Sequence, residues 1–168
     1  LPVGKAFTNT ASIMAYGYNP NLAVWSPYHA AEYAVIEACA KVVAAGARYD
    51  KMRYSYQEYF ERMNSETSWG KPLSALLGAL KMQVELGLPS IGGKDSMSGT
   101  FRDINVPPML MAFGITTVDA RTVISPEFKE VGNKIYVIRH TPKANYMPCT
   151  ECLKANFDFV SSAIEQGK

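Results

Sequence analysis

The sequence predicts an α/β or α+β fold. Short apolar runs with strand character alternate with longer segments whose apolar residues recur at helical spacing, and such alternation is the mark of sheets covered by helices. The helical segments are punctuated by Ser-Pro starts and glycine stops. With 168 residues, 48% of them hydrophobic and 19% charged, the chain has material for one domain with a substantial core.

Taken in order, Ser12 to Tyr18 reads as a strand closed by Gly17 and Asn19-Pro20. Ser26-Pro27 opens a helix: the serine can cap free amides, and proline is tolerated at the first helical position. Its face is Ala31, Ala34, Val35, Ala38, Val42 and Ala45, and Gly46 ends it. So many alanines imply close packing against another element. Met52 to Phe60 alternates loosely and reads as a strand. A second helix is expected from Trp69-Gly70-Lys71-Pro72 to Gly87, with Leu73, Leu76, Leu77, Leu80 and Val84 as its buried stripe. Leu88 to Ile91 is expected as a short buried strand, and a polar glycine loop follows. Met109 to Val118 and Lys134 to Arg139 read as two more strands. Cys149 to Ile164 reads as a helix with Leu153, Phe157, Val160 and Ile164 on one side. The last strand and helix have little after them to pack against. The expected organisation is therefore one α/β domain over residues 1–131 and the truncated start of a second over 132–168. The other arrangement is that the final helix covers the main sheet.

Composition narrows the function classes. A net charge of +2 argues against an electrostatic nucleic-acid binder. The nearest basic cluster, Arg48 to Arg53, is interrupted by Tyr49 and Asp50 and followed by Tyr54. No apolar run approaches the ~20 residues that span a bilayer, and Leu1 to Lys5 carries no signal-peptide pattern. The chain lacks an initiator methionine, as expected of one that is processed or cut from something longer. Three cysteines, an odd number, suit a reducing cytosol, so a cytoplasmic location is expected. Cys149-Thr150-Glu151-Cys152 has metal-ligand spacing, but a zinc site takes about four ligands, and Cys39, His29 and His140 make a poor remainder. Cysteines that start a helix and pack there are the expected reading, and both histidines read as structural.

The segment "PSIGGKDSMSGTF", Pro89 to Phe101, carries the chemistry. It is not a Walker loop. G-x-x-x-x-G-K-[ST] would need glycine at Leu88 and a hydroxyl at Asp95. Its residue types nevertheless suit a phosphate. Gly92 and Gly93 let backbone amides approach an anion, and Lys94 offers a point charge. Asp95 offers the hard oxygen that Mg²⁺ takes beside water and phosphate. Ser96, Ser98 and Thr100 can hydrogen-bond phosphate or ribose. A polar surface turn with a Lys–Asp pair has the same composition, and composition leaves both readings open.

"GLPSIGGKDSMSGTF" resembles the glycine-rich segment of the phosphoribosylformylglycinamidine synthase family, whose long single-chain form carries G-K-D-S-[ML]-S in its second half. "TASIMAYGYNP", "WSPYHAAEYAVIEACAKVVAAG", "YSYQEYFERM", "WGKPLSALLGAL", "VPPMLMAFG" and "VISPEFKEVGNKIYVI" resemble the family in the same order, so the resemblance covers nearly the whole chain. It implies an aminoimidazole-ribonucleotide-synthetase-like fold: most of the N-terminal domain of the second synthetase half, then the first strand and helix of the C-terminal domain. It implies a ligase activity in purine biosynthesis. ATP phosphorylates the amide oxygen of formylglycinamide ribonucleotide, and ammonia from glutamine, released by a separate glutaminase domain, displaces phosphate to give the amidine. ATP and Mg²⁺ are the implied cofactors. The remaining domains of the same enzyme are the implied partners, and the isolated piece is expected to be inactive and to self-associate.

Matched position by position, Gly93 is the implied nucleotide contact and Ser96 the implied substrate contact; by residue type Gly92 and Lys94 are candidates to join the first and Ser98 the second. Glu37, which matches a metal-binding glutamate, and Asp95, which stands at a valine of the shorter form, are the candidate metal ligands, and no catalytic residue is identified. The shorter form of the family reads G-G-N-V-S here, so Lys94 replaces a metal-binding asparagine. Long-form relatives carry E-x-x-x-N on the first long helix; Glu37 matches and Lys41 does not. A Glu–Lys pair at that spacing is also a plain helix salt bridge of about 0.3–0.5 kcal/mol. Gln57 and Glu58 lie where relatives face the nucleotide; an aromatic-rich strand packed on a neighbouring domain reads equally well there. Two further readings stay beside the enzymatic one: a modified site that holds a nucleotide without turning it over, and another enzyme of the same superfamily, such as a thiamine-phosphate kinase.

Overall fold

The computed structural model describes residues 7–167. Strand β1 (Thr10–Gly17) leads into a short helix α1 (Pro20–Trp25) and then α2 (Pro27–Ala44). Ser26 caps α2 by accepting from the His29 amide, and Pro27 stands at its first turn, as the sequence predicts. Next come β2 (Arg53–Tyr59), α3 (Glu66–Leu86) and β3 (Ser90–Lys94). A small hairpin, β4 (Thr100–Phe101) and β5 (Ile104–Asn105), precedes the long strand β6 (Met109–Asp119), and α4 (Thr150–Glu165) closes the chain. Among the described residues no helix is long and apolar enough to cross a membrane.

The main sheet has the order β1-β6-β2-β3. β6 pairs antiparallel with both β1 and β2, while β3 lies parallel to β2 at the edge. A parallel neighbour requires a crossover, and α3 is that crossover. Alternation fixes the faces. Tyr54, Tyr56 and Glu58 of β2 and Leu110, Ala112, Gly114, Thr116 and Val118 of β6 point inward. α2 lies on this face, and its Ala31, Ala34, Val35, Ala38 and Val42 are buried as expected. α3 packs on α2. The opposite face of the sheet is open, with Met14, Tyr16, Ile91 and Ile115 exposed.

Three expectations need correction. The first concerns α3. It starts at Glu66, three residues earlier than expected, because Ser65 and Ser68 form a reciprocal capping box that outweighs the interruption at Pro72. Its leucine stripe is not buried: Leu73, Leu76, Leu77, Leu80 and Val84 are between 44% and 72% exposed. The buried face is Ser68, Pro72, Ala75, Gly78, Ala79, Met82 and Leu86. A Cβ at Gly78 would lie 2.1 Å from the Tyr28 carbonyl oxygen, so the small-residue side is the only one that admits α2 this closely.

The second correction concerns the strand expected at Leu88 to Ile91. Leu88 is buried, but the strand is Ser90–Lys94, fully exposed at the sheet edge, and it contains the two glycines. Third, Lys134 to Arg139 forms no strand among the described residues; it is irregular, and most of its side chains are exposed. An apolar alternation becomes a strand only where a neighbour accepts its hydrogen bonds, and no neighbour flanks this segment. α4 packs on α2 and α3, with Leu153 and Phe157 joining the core cluster.

Candidate functional site

The site lies at the edge of the sheet where β1, β2 and β3 end. β2 and β3 run parallel, with Ser55 opposite Gly92, Tyr56 opposite Gly93 and Gln57 opposite Lys94. The two strands approach so closely that a Cβ at Gly93 would sit 2.5 Å from the Tyr56 carbonyl oxygen. Gly92 has φ +148° and open space around it. Only glycine adopts that backbone without strain. Position 93 thus needs glycine for packing and position 92 for conformation.

After Lys94 the chain turns across the end of β2 and is pinned there. The Ser96 amide donates to the Glu58 carbonyl at 3.1 Å, and the Phe60 amide donates to the Ser96 carbonyl at 2.8 Å. The Gly99 amide donates to the Phe60 carbonyl, and the Val106 amide to the Gly99 carbonyl. The Gln57 side-chain amide bridges the Lys94 and Glu58 carbonyls at 3.2 and 3.0 Å. Lys94 Nζ lies 3.4 Å from Ser96 Oγ. Gly92, Gly93, Lys94, Asp95 and Ser98 are exposed and Ser96 is half-buried, so the structure brings these predicted residues onto one ordered edge. A shallow cleft of about 480 Å³ on the open sheet face is lined by Ser55, Gln57, Ile91, Gly92, Gly93 and Lys94, among others. A hollow walled by Glu127 to Ile135 lies in an exposed connecting segment and contains none of these groups.

Beneath the turn sits Glu58. It occupies an inward position of β2, is 1% exposed, and neither carboxylate oxygen has a protein partner. Burial, and then the Asp95 carboxylate facing it, push its pKa up to about 8. Two carboxylates can face each other only when a proton or a cation lies between them. Burial therefore favours the protonated, uncharged form of Glu58. Gln57 and Glu58 are neighbours on β2 and point to opposite faces, Glu58 inward; the sequence showed neither that nor the return of Asp95 over it.

Glu37 is differently placed. One oxygen accepts from the Tyr18 amide at 3.1 Å and the other pairs with Lys41 at 2.7 Å. Lys41 also donates to the Tyr16 carbonyl at 2.9 Å and lies over the Tyr16 ring. The sheet register relates this group to Glu58. Gly17, beside Tyr18, stands opposite Ala112, and Glu58 stands opposite Leu110 on the other side of β6. The two flanks are two strand spacings apart, roughly 10 Å between backbones. Glu37 therefore shares the edge with Asp95 without touching it. Among the described residues no group of three or more His, Cys, Asp or Glu is arranged to hold a metal. His29 Nδ1 is bonded to Ser26 Oγ at 2.6 Å, and His140 Nε2 accepts from the Cys149 amide at 3.3 Å, away from this edge.

No protein-family model matches the chain. No curated protein matches it either. Its fold does match solved structures. Phosphoribosylformylglycinamidine synthase II from Thermotoga maritima superposes with a TM-score of 0.71 at 15% identity, over 94% of this chain and 25% of its own. PurL of the same organism complexed with ATP gives 0.71 at 14%, over 97% and 26%, and PurL complexed with FGAR gives 0.66 at 14%, over 94% and 28%. The chain spans about a quarter of the length of these proteins. It has their mixed α/β, aminoimidazole-ribonucleotide-synthetase-like fold.

Proposed function

We propose that this chain is a piece of a synthetase half of a phosphoribosylformylglycinamidine synthase, and that its glycine edge holds ATP and substrate phosphate. One observation carries the reading: Gly92 to Ser96 form an exposed, hydrogen-bonded edge directly above a buried carboxylate with no protein partner. In this reading Gly92, Gly93 and Lys94 meet the nucleotide, and Ser96 and Ser98 meet formylglycinamide ribonucleotide. The family's ligase reaction, with glutamine as amido donor through a glutaminase domain, requires the other three-quarters of such a protein. The 168-residue chain alone should form no product from ATP, substrate and ammonium. A cytoplasmic location belongs to the same reading. So does a boundary near Gly132, with residues 132–168 opening a second domain.

Mg²⁺ fits the residues present. Asp95 is exposed and Glu58 is a partnerless buried carboxylate beside it, which is the hard-oxygen chemistry the ion takes. Glu37 could join only by leaving Lys41 and the Tyr18 amide. When bound, the ion would neutralise phosphate charge during phosphoryl transfer. Lys94 can hold the nucleotide's phosphates as a point charge, and Gln57 fixes the carbonyl at the turn that carries it.

A second reading is that this edge grips a nucleotide that is never turned over. The Glu37–Lys41 pair favours it, because one implied metal ligand is already neutralised. Asp95→Asn and Lys94→Ala, made in the complete enzyme that carries this chain, separate the two. Loss of kcat at unchanged thermal stability supports chemistry at this edge. Lower stability at unchanged kcat supports a structural nucleotide. No change in either overturns both.

A further inference from the structure

We propose that Cys149 and Cys152 form a reversible dithiol–disulfide site at the start of α4. The two stand three residues apart with Cys149 as the cap of α4, and the Cys152 amide donates to Cys149 Sγ at 3.4 Å. Residues three apart at a helix start share a face with Cβ atoms about 5–6 Å apart, and a disulfide holds them about 3.5–4.5 Å apart, so closure draws the first turn together by about 1–2 Å. The amide contact sets the Cys149 sulfur over the turn that carries Cys152, and the neighbouring Cys149 side chain holds the Cys152 pKa up. Both cysteines are half-buried.

Cys39 provides the contrast. It is fully buried, its thiol donates toward Met52 Sδ at 3.7 Å, and burial pushes its pKa up to about 12. It is a packing residue. The pair on α4 has no such duty. It also lacks the ligands of a metal site: the nearest histidine, His140, already accepts from the Cys149 amide through Nε2, and no third donor is arranged with the pair among the described residues. Glu151 Oε2 lies 3.8 Å from Cys149 Sγ and accepts from it, and both thiols are free in the structure.

The step is a plain exchange. A small disulfide such as oxidised glutathione takes up two electrons and two protons from the pair and leaves as two thiols, and the Cys149–Cys152 bond forms. Its place gives it a structural consequence. Thr150, between the two cysteines, donates to Glu85 of α3; Glu85 pairs with Lys81 at 3.1 Å, and Lys81 with the buried Glu32 of α2 at 2.7 Å. Closure of the disulfide fixes the turn through which α4 is latched to both other helices.

The test is a redox titration of the 168-residue chain in graded reduced and oxidised glutathione, with thiols counted by alkylation and mass. The expected result is a single transition in which two hydrogens are lost from the peptide holding Cys149 and Cys152, while Cys39 stays free. The urea-unfolded chain should need at least about tenfold more oxidising buffer for the same bond, because it lacks the helical turn that holds the sulfurs together. Cys152→Ser, shown by circular dichroism to be folded, should carry one glutathione on Cys149 and no internal bond. Equal titration of folded and unfolded chain, or separate glutathione adducts on both cysteines of the unsubstituted chain, would overturn the proposal. Stoichiometric protection of both by added Zn²⁺ would do so as well, by making the pair a metal site.

Discussion

α2 and α3 lie side by side and carry apolar stripes of equal clarity, yet one stripe is buried and the other faces outward. α2 is held between the sheet and α3, so its alanine and valine face has a surface on each side. α3 packs mainly on α2, with α4 meeting its C-terminal end, and it presents its small residues to α2. Helical periodicity reveals that an apolar stripe exists. It does not reveal which of two stripes on the same helix fits the space available. Close approach decides that, because interiors admit no overlap and few voids.

The most severe way to break this comparison is a pair of truncations on α3. Met82 is fully buried and Leu80, two residues before it, is half exposed. Met82→Ala should cost about 3 kcal/mol, within the range for buried large-to-small changes. Leu80→Ala should cost about 0.5 kcal/mol or less. Urea unfolding of the two variants reads the difference, and similar losses would mean that the leucine side is the packed one.

A smaller effect sharpens the same point at the two glycines of α3. Gly78 lies against the Tyr28 backbone, whereas a Cβ at Gly70 would meet nothing within 4 Å. Gly78→Ala should therefore destabilise the chain by about 2 kcal/mol through overpacking. Gly70→Ala should stabilise it by about 0.5–1 kcal/mol, since alanine loses less entropy in a helix. Opposite signs are the result to look for in the shift of the unfolding midpoint.

Glu58 gives a pH test of the site itself. Its folded pKa, about 8, lies above its ordinary value of 4.5. The folded chain therefore binds more protons between those values, and its stability falls as pH rises through that window and levels off above about 8. Glu58→Gln should flatten this slope and raise stability at pH 8 by on the order of 1–3 kcal/mol relative to the unsubstituted chain. At pH 4 the two should nearly coincide. A slope unchanged in the variant would assign the dependence to another group.

Much of this was legible in the sequence, for reasons that individual residues make plain. Ser26-Pro27, the alanine face of α2 and Cys149 at the head of α4 are local signals, read by groups a few residues away. The glycine edge was legible as residue types and as a family resemblance, but not as a strand. Ser90–Lys94 joins the sheet because β2 offers a parallel partner made available by α3, and that partnership is not a local property. The same holds for Asp95 above Glu58, which are 37 positions apart in the numbering and meet only because the turn after β3 crosses the end of β2. Lys134 to Arg139 is the converse case, a strong local pattern with no strand to pair with.

The smallest effect on stability, and the most informative about surroundings, belongs to the outward stripe. From Thr67 to Val84 the exposed face of α3 carries Trp69, Leu73, Leu76, Leu77, Leu80 and Val84 and no exposed charge. Lys71 and Lys81, each about a third exposed, are turned aside to Glu61 and Glu32. The open sheet face, with Met14 and Tyr16, adds a second apolar surface. A chain with two such surfaces should associate with a second copy of itself, since contiguous exposed patches of this kind mark interaction sites. Leu76→Lys with Leu80→Lys should lower the apparent mass in size-exclusion chromatography and move the unfolding free energy by no more than about 0.5 kcal/mol. Met14→Lys with Tyr16→Lys measures the sheet face in the same way. If the α3 pair leaves the mass unchanged and the sheet pair lowers it, the sheet alone drives association. If the unsubstituted chain runs as a monomer at high concentration, neither face binds a second copy.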